Sequence, residues 1–502
     1  MLITYGFLSI LPPLLSIFLA IYTRQVYIAL TCGIWSGYLI IAHFHPLQAT
    51  TTTIEAFVNV FADADNTRTI MFTALMGGLM LFIQKSGGVK GFIEWMARFT
   101  EKLVQRGLNS RKIIEMLAFI TGTSIFIEST INTLTVGTVF RPVFDKLKIP
   151  REKLAYIAHS CSAPVCMLIP LNAWGAYVIG LLNAQKFTNA SDIFIHSWIY
   201  GFYPMIALLL VVFIILSGKN FGPMKTAEER AKNTGALLRP GAVPFGNYDE
   251  GSTELKPNIK PRAINMLLPI IILVLMMPVG LIATGWNAVI ATDTLSQQCF
   301  SALTHGNGAT AVLYAISSAL FVGTLLYLSQ RIFTFTEIVN MILKGISDLI
   351  TLALLMMLAF AIGKVCRTLG TGFYVAQITQ LWLHPVILPA VIFFVACLMA
   401  FAMGTAWGTF AIMLPIAIPL AQALGPNHPD LLYMAIAASL GGGVFGNHCS
   451  PIADTTLITA LGSGNDPIDH VKTQLPYAIT AAVITGILYL IFGWVCFTQG
   501  VK

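Results

Sequence analysis

Residues 441–456 read GGGVFGNHCSPIADTT, and this stretch decides how the rest of the chain is interpreted. A run of glycines followed by Pro451 predicts that a helix unwinds inside an otherwise apolar segment. His448, Ser450 and Asp454 crowd into the same break. In lipid, an unpaired backbone group costs several kcal/mol, so a broken helix occurs only where protein or water surrounds it. The stretch therefore predicts a polar site at the middle of a membrane.

The composition agrees with a membrane protein. The chain has 502 residues, of which 56% are hydrophobic and 10% charged, and its mean hydropathy is +0.78. Soluble domains have about 25% charged residues. The net charge of +7 is typical of lysines and arginines collected in cytoplasmic loops, which argues against a nucleic-acid partner. We therefore expect a multi-pass protein of the cell inner membrane.

Cysteine usage and the N-terminus add two expectations. The eight cysteines show no Cys-x-x-Cys spacing, so we infer neither a disulfide framework nor a zinc site. The first apolar stretch, residues 2–20, has no basic region before it and no small-residue cleavage site after it. It is interpreted as the first spanning helix rather than as a signal peptide.

About ten apolar runs are long enough to span a bilayer. They start near Leu2, Val26, Ile70, Leu154, Ser197, Ala263, Ala309, Ser347, Tyr433 and Leu475. Two further stretches, Ile113–Phe140 and Val386–Ala421, are interrupted by polar and small residues. Basic segments flank the first on both sides, whereas residues 370–428 contain no Lys, Arg, Asp or Glu. The positive-inside rule then predicts two re-entrant hairpins that enter from opposite faces.

This pattern predicts an all-α polytopic fold of two inverted-topology repeats, each with a re-entrant hairpin and a broken helix. The first repeat is residues 1–217, a cytoplasmic linker is 218–262, and the second repeat is 263–502. The hairpins share Gly-Thr-Ser at 122–124 and Gly-Thr-Ala at 404–406, and each is followed by a break, at Ala163-Pro164 and at Ser450-Pro451. Inverted repeats with broken helices at the midplane are typical of secondary transporters.

Two isolated carboxylates, Glu128 and Asp454, fall inside membrane segments. A carboxylate there is a functional candidate by default. Desolvation favours its protonated form and a neighbouring cation favours the ionised form, so one carboxylate can exchange a proton for a cation. We expect both side chains to lie in one polar pocket; for Glu128 the alternative is a hydrogen bond to backbone at the hairpin tip.

Neutral oxygens and imidazoles complete the predicted site. Carbonyls freed by broken helices are good ligands for a hard cation. The alternative for His159 is a plain hydrogen bond, and the alternative for the stretch that contains Thr405 is helix packing. The candidate substrate- and ion-binding residues are Glu128, Asn132, Ser160, Asn172, Thr405, Asn447, His448, Ser450, Asp454 and Thr455. Glu128 and Asp454 are the candidate ligands of the transported sodium ion.

Three motifs resemble the NhaC-type sodium/proton antiporter family: residues 441–456, LTVGTVFRP at 134–142 and GTAWGT at 404–409. The resemblance implies two hairpins, inverted repeats, an elevator-like motion and often a homodimer. The chain departs from the family where Glu128-Ser-Thr-Ile-Asn132 replaces Asp-Asp-Tyr-Phe-Asn. His159 and Asn447 also stand where relatives have aspartates.

Sodium or lithium exchange for protons is the leading hypothesis, with Glu128 and Asp454 taking either ion in turn. A sodium/proton-coupled exchanger of small carboxylates such as malate and lactate is the alternative, because three family acids are replaced. An intramembrane hydrolase is disfavoured, since the chain has no His-Glu-x-x-His motif and Asp454 has no catalytic twin. The expected partners are lipid, sodium, protons and a second subunit. No resident cofactor and no enzymatic activity are expected.

Overall fold

A computed structural model describes residues 5–23, 25–105, 111–126, 129–169, 172–187, 189–244, 259–286, 306–371 and 384–499, together with residues 295, 298, 299, 302 and 374. Within these ranges the secondary structure is helical. The helices are α1 (Leu11–Thr23), α2 (Val26–Ile41), α3 (Pro46–Ala62), α4 (Ala64–Lys85), α5 (Gly88–Gln105), α6 (Arg111–Ser124), α7 (Ser129–Lys146), α8 (Arg151–Ser160), α9 (Ala163–Leu168), α10 (Ala173–Ala184), α11 (Ala190–Trp198), α12 (Phe202–Ser217), α13 (Gly222–Thr234), α14 (Ile264–Gly285), α15 (Gly308–Ser329), α16 (Phe335–Asp348), α17 (Ile350–Leu369), α18 (Leu388–Met403), α19 (Ala406–Leu424), α20 (Pro429–Cys449), α21 (Asp454–Ser463) and α22 (Pro467–Gln499).

Eight helical stretches of the described chain are long and apolar enough to cross a membrane. They are Ala64–Lys85, Ala190–Thr234, Ile264–Gly285, Gly308–Ser329, Ile350–Leu369, Pro385–Met403, Ala406–Leu424 and Pro467–Cys496. Shorter apolar helices add Gly6–Ala20, Val26–Ile41 and Trp174–Ala184. The chain is a multi-pass membrane protein, as its composition predicts.

Both predicted hairpins are present as helix pairs. In the first, α6 and α7 flank a break that begins at Ile125, and the amide of Asn132 bonds back to Gly122. In the second, α18 is capped by Gly404, which follows its last residue. Gly404 has a left-handed φ of 68°, and its N–H donates to the carbonyl of Ala400. Gly404 avoids the steric cost that a side chain has at positive φ. Thr405 then begins α19 as its N-cap.

An interrupted helix follows each hairpin. After the second, α20 ends at Cys449 and α21 begins at Asp454. After the first, the helix breaks twice: at Cys161-Ser162, and again between Leu168 and Ala173. Pro164 lies in the first turn of α9, where its missing N–H costs nothing. Ile169, at the break between α9 and α10, lies 47 residues after Gly122, and Ser450 lies 46 residues after Gly404. This second break is therefore the better counterpart of Ser450-Pro451.

The glycine run does not unwind α20, contrary to the sequence-based expectation: the helix is continuous through residues 441–446. The glycines allow close packing instead. A Cβ on Gly442 would lie 2.5 Å from the Ala396 side chain, and one on Gly446 would lie 2.2 Å from that of Ala400. Small residues at four-residue spacing let α18 and α20 approach at backbone distance, as in other membrane helix pairs.

The linker is held to the membrane helices by buried ion pairs. Arg230 of α13 donates to both carboxylate oxygens of Glu152 at 2.8 and 3.0 Å. Lys153, 2% exposed, pairs with Glu115 of α6 and with Glu228 of α13 at 3.0 and 3.1 Å. Removing one partner of such a buried pair leaves an uncompensated charge, so α6, α8 and α13 are strongly tied together.

The loop before α22 is fixed by Asp466, which caps that helix. Its carboxylate accepts hydrogen bonds from the backbone N–H groups of Val243, Ile468 and Asp469 at 2.9, 2.8 and 3.3 Å. Burial alone would raise the pKa of Asp466. The three N–H groups and Arg239 lower it by more than burial raises it, so the pKa lies below its ordinary value of 3.8. The ionised cap therefore joins Val243 of the linker to α22.

We expect Asp466→Ala to lower the midpoint of thermal unfolding of the purified protein by on the order of 1–2 °C, since a lost N-cap costs about 1 kcal/mol. Because the folded pKa is depressed, the stabilisation is complete above the ordinary carboxyl pKa and is lost as pH falls through the folded value. The difference between wild type and variant should thus shrink on acidification. A difference that grows below pH 4 would contradict the role of the ionised cap.

Candidate functional site

Two asparagine amides hold the interrupted segments of the first half. Asn132 of α7 is fully buried, and its Nδ2 donates to the carbonyls of Gly122, Ile125 and Cys161 at 2.7, 2.7 and 2.9 Å. These carbonyls lie at the end of α6, in the hairpin break and in the kink after α8. The Oδ1 of Asn132 has no hydrogen-bond partner among the described residues. The amide thus supplies donors that the broken backbone lacks.

Asn172 does the same at the next break. Its Nδ2 donates to the carbonyls of Phe126, Cys166 and Ile169 at 2.7–2.8 Å. Its Oδ1 accepts the N–H groups of Trp174 and Gly175 and so caps α10. Three carbonyl acceptors around one atom fix that atom as the amide nitrogen. Asn172 therefore connects the tip of the first hairpin to the start of α10.

A cavity of about 390 Å³ lies between the two hairpins, α4 and α17. The first hairpin contributes Thr130, from the first turn of α7, and the second contributes Thr405, the N-cap of α19. Met76 and Met80 of α4 form part of another wall. A threonine from each hairpin and an apolar wall thus line one space.

Asp454 lines this cavity as the first residue of α21. Its side chain is exposed to the space, and its Oδ1 accepts the N–H of Thr455 at 2.7 Å. No lysine or arginine of the described chain forms an ion pair with it, and none is among the described residues that line the cavity. Asp454 is therefore an uncompensated carboxylate in a membrane cavity.

Next to Asp454, three buried histidines from different helices form a cluster. Nδ1 of His159 in α8 lies 2.9 Å from Nε2 of His470 in α22. Nε2 of His159 lies 3.1 Å from Oγ1 of Thr455. His448 of α20 contacts Ser160 Oγ and Tyr203 Oη, each at 2.9 Å. All three imidazoles are at most 2% exposed.

Gln474 determines the direction of the hydrogen bonds in this cluster. Its Nε2 donates to the carbonyl oxygen of His448 and lies 3.2 Å from Nδ1 of His159. The Nε2 group of Gln474 can only donate, so Nδ1 of His159 must accept this hydrogen bond. The proton of the His159 imidazole is therefore assigned to the other ring nitrogen, Nε2 of His159. That proton is donated to Thr455, whose hydroxyl donates to the carbonyl of Asn447 at 3.2 Å. This assignment makes His159 a neutral imidazole.

The structure divides the sequence-predicted site residues into three groups. Thr405 and Asp454 face the cavity. Ser160, His448, Thr455 and the carbonyl of Asn447 belong to the histidine cluster. Asn132, Asn172 and Ser450, whose hydroxyl donates to the carbonyl of Phe401 at 2.8 Å, hold broken backbone. Glu128 lies outside the described residues, beside the described Ser129-Thr130 that reaches the cavity.

Sequence reasoning missed several members of the site. His470 and Gln474 are four residues apart, on one face of the first turns of α22. That spacing of polar residues in an apolar helix could have identified them. Trp174 and Trp407 also line the cavity. The sequence leaves open whether Trp407 is a gate or a packing residue, and it gives no signal for Trp174 beyond its place beside Asn172.

Similarity to known proteins agrees with this architecture. The sequence profile described as "Na+/H+ antiporter family" matches residues 165–494. An uncharacterized protein of Haemophilus influenzae is 32% identical over 500 residues, which is 97% of this chain and 91% of that protein.

Two relatives with named activities match over shorter regions. The malate-2H(+)/Na(+)-lactate antiporter of Bacillus subtilis is 28% identical over 185 residues, 36% of this chain and 38% of that protein. The arginine/ornithine antiporter ArcD of Halobacterium salinarum is 32% identical over 116 residues, 22% of this chain and 23% of that protein.

Solved transporter structures share the fold at low sequence identity. The YdaH transporter of Alcanivorax borkumensis, described as having an unusual topology, aligns with a TM-score of 0.57 at 15% identity, over 90% of this chain and 89% of that chain. MtrF of Neisseria gonorrhoeae aligns with a TM-score of 0.52 at 14% identity, over 90% and 85%.

We expect Gln474→Leu to destabilise the protein by about 1–3 kcal/mol, because the His448 carbonyl loses its side-chain donor in a dry environment. The measurement is thermal unfolding of the purified protein in detergent. Lys472→Gln, an exposed change two residues away, is the matched control and should leave the midpoint unchanged. Equal midpoints for Gln474→Leu and wild type would show that Gln474 does not hold the cluster.

Proposed function

Because the chain belongs to the Na+/H+ antiporter family, we propose that it exchanges sodium or lithium ions for protons across the cytoplasmic membrane by alternating access. One observation carries the proposal: Asp454 faces a cavity between the two hairpins with no basic partner in the described chain. A carboxylate in that position is stable when it holds a proton or when a cation lies beside it. The two occupants then compete for one group, which is the requirement for exchange.

Thr130 and Thr405 support a cation as the second occupant, because each carries a hydroxyl oxygen. They come from opposite hairpins and line the same space as Asp454. Neutral oxygens together with one carboxylate are the ligands preferred by hard cations. Asn132 Oδ1, buried and unpartnered in the described chain, is a further candidate ligand. Glu128 remains part of the proposal as the second carboxylate.

The position of the cavity supports alternating access. One wall belongs to α4, whose buried residues pack in one apolar cluster with α14 and α15. Asp454 belongs to elements joined by side-chain bonds across the two halves, including the contact of His159 with His470. The two groups of helices also pack on each other, since Ile125 and Ile131 of the first hairpin belong to the same apolar cluster as α4. A site between two such groups can open to either side when one group moves against the other.

The charge of the cavity also bears on the carboxylate-exchanger alternative. The two named relatives differ in cargo: one is named for malate and lactate, the other for arginine and ornithine. A dicarboxylate would bring negative charge beside Asp454, and no described lining residue is a lysine or arginine that would offset it. Like charges in a low-dielectric site repel strongly. We therefore place cations ahead of organic anions.

We expect Asp454→Asn to reduce sodium-dependent proton movement at least about tenfold, equivalent to ~1.4 kcal/mol, because the amide can neither ionise nor neutralise a cation. The measurement is fluorescence dequenching in inside-out vesicles energised to an acid interior, on addition of sodium, lithium, potassium or malate. Glu229→Gln, which removes an exposed linker carboxylate, is the matched control and should exchange like wild type.

Three results would count against the proposal. Full sodium response in Asp454→Asn would remove Asp454 from the exchange site. A wild-type response that requires malate or lactate would establish the carboxylate exchanger instead. Absence of any response in well-folded wild-type protein, with lithium and potassium also inactive, would exclude exchange of the alkali cations tested.

A further inference from the structure

The cavity is larger than an alkali ion requires. Its volume of about 390 Å³ falls within the range of roughly 300–1,000 Å³ that is typical of small-molecule sites. A sodium ion needs only a shell of oxygens around one carboxylate, and that accounts for the corner formed by Asp454, Thr130 and Thr405. The rest of the lining consists of apolar and indole side chains together with Tyr27 and Thr351, and the Tyr27 hydroxyl already donates to the Thr351 carbonyl at 3.2 Å. Most of this space therefore suits an occupant with a hydrocarbon part.

Two indoles line the cavity on the side of the hairpins. The rings of Trp174 and Trp407 have centroids 4.9 Å apart at an interplanar angle of 41°. Tyr177 holds Trp407 in place: its ring packs edge-on at 4.9 Å, and its hydroxyl donates to the Trp407 carbonyl at 3.0 Å. Phe410 packs on Trp174 at 5.9 Å. The indole pair is thus fixed by its neighbours before any occupant binds.

The remaining wall is mostly apolar, with Tyr27 and Thr351 as its polar members. Met76 and Met80 of α4 face the cavity together with Leu352 and Leu355 of α17. Methionine side chains are flexible and polarisable and fit varied hydrocarbon shapes. The cavity therefore has a charged corner, an aromatic side and a hydrocarbon side.

We propose that this cavity binds an organic ammonium compound, a primary alkylamine or a diamino acid, with its ammonium group between Asp454 and the Trp174–Trp407 pair and its alkyl chain against the methionine wall. The face of an indole attracts an ammonium group, most strongly where water is excluded. Asp454 neutralises the charge, and no described lysine or arginine of the wall opposes it. The inference rests on the proposed function in that Asp454 is the shared cation-binding group, so sodium and the ammonium compound compete.

The test is isothermal titration of purified wild-type protein in sodium-free detergent buffer with lysine, with butylamine, and with norleucine. Norleucine shares the backbone and the four-carbon side chain of lysine but lacks the terminal ammonium. Lysine should bind at least about tenfold more tightly than norleucine, and 100 mM sodium should weaken the binding of both ammonium compounds. Binding of lysine no tighter than norleucine, together with no binding of butylamine, would overturn the inference.

Variants locate the binding in this cavity. Asp454→Asn should abolish the preference for lysine over norleucine. Trp407→Leu should weaken lysine binding about five- to thirtyfold, the range expected for a desolvated cation–π contact, and Trp407→Phe should weaken it less. Preference for lysine that persists unchanged in both Asp454→Asn and Trp407→Leu would place the ammonium elsewhere and overturn the assignment.

The vesicle assay separates this inference from the proposed function. Sodium exchange without ammonium binding leaves the proposed function standing and removes the inference. Ammonium binding accompanied by lysine-dependent proton movement, with sodium and lithium inactive, upholds the inference and removes the alkali-ion proposal. If well-folded wild-type protein shows neither sodium exchange nor ammonium binding, the proposed function and this inference both fail.

Discussion

The structure depends on how broken helices satisfy their backbone polar groups away from water. Two side-chain amides, those of Asn132 and Asn172, donate toward six carbonyl oxygens of the first hairpin and the helix that follows it, with two hydrogens on each Nδ2 shared among three carbonyls. A carbonyl left without any donor in an apolar environment costs several kcal/mol, and these amides add donors beside backbone bonds such as the one from the Ile125 N–H to Gly122. Because these amides fix where α7 and α10 begin, they also fix Thr130 and Trp174 at the cavity. The position of the polar site thus follows from the hydrogen bonds that stabilise the interrupted helices.

Much of the fold could be predicted from where charge is absent. An uncharged stretch interrupted by Gly404-Thr405 predicts a hairpin, and the structure has one. The glycine run was wrongly predicted to unwind α20, because a sequence does not show whether a glycine serves flexibility or close contact; here Gly442 and Gly446 face alanines of α18. Pro164 was assigned to the break itself, although proline is equally at home in a first helical turn. The opposite orientation of the two halves stays a prediction.

The site was predictable in part, for a physical reason. An ionisable residue inside an apolar run is conspicuous, so Asp454 and His448 could be chosen from sequence. His470 follows the charged residues Asp466 and Asp469, where a polar side chain attracts no notice, and only the folded chain shows it buried against His159. The pairing of Trp174 with Trp407 could not be predicted for the opposite reason, because tryptophan is ordinary in a membrane segment.

The contact of His159 with His470 joins positions 311 residues apart, and this separation has a consequence for biogenesis. At about 5–20 residues per second, the ribosome completes α22 roughly 15–60 s after α8 has been made. Throughout that interval the His159 imidazole lacks its contact with His470, and Ser160 lacks its partner until His448 of α20 has been made. The histidine cluster is therefore incomplete until α22 has been made, and a chain whose translation stops short of α22 lacks the contact between its two halves at His159 and His470.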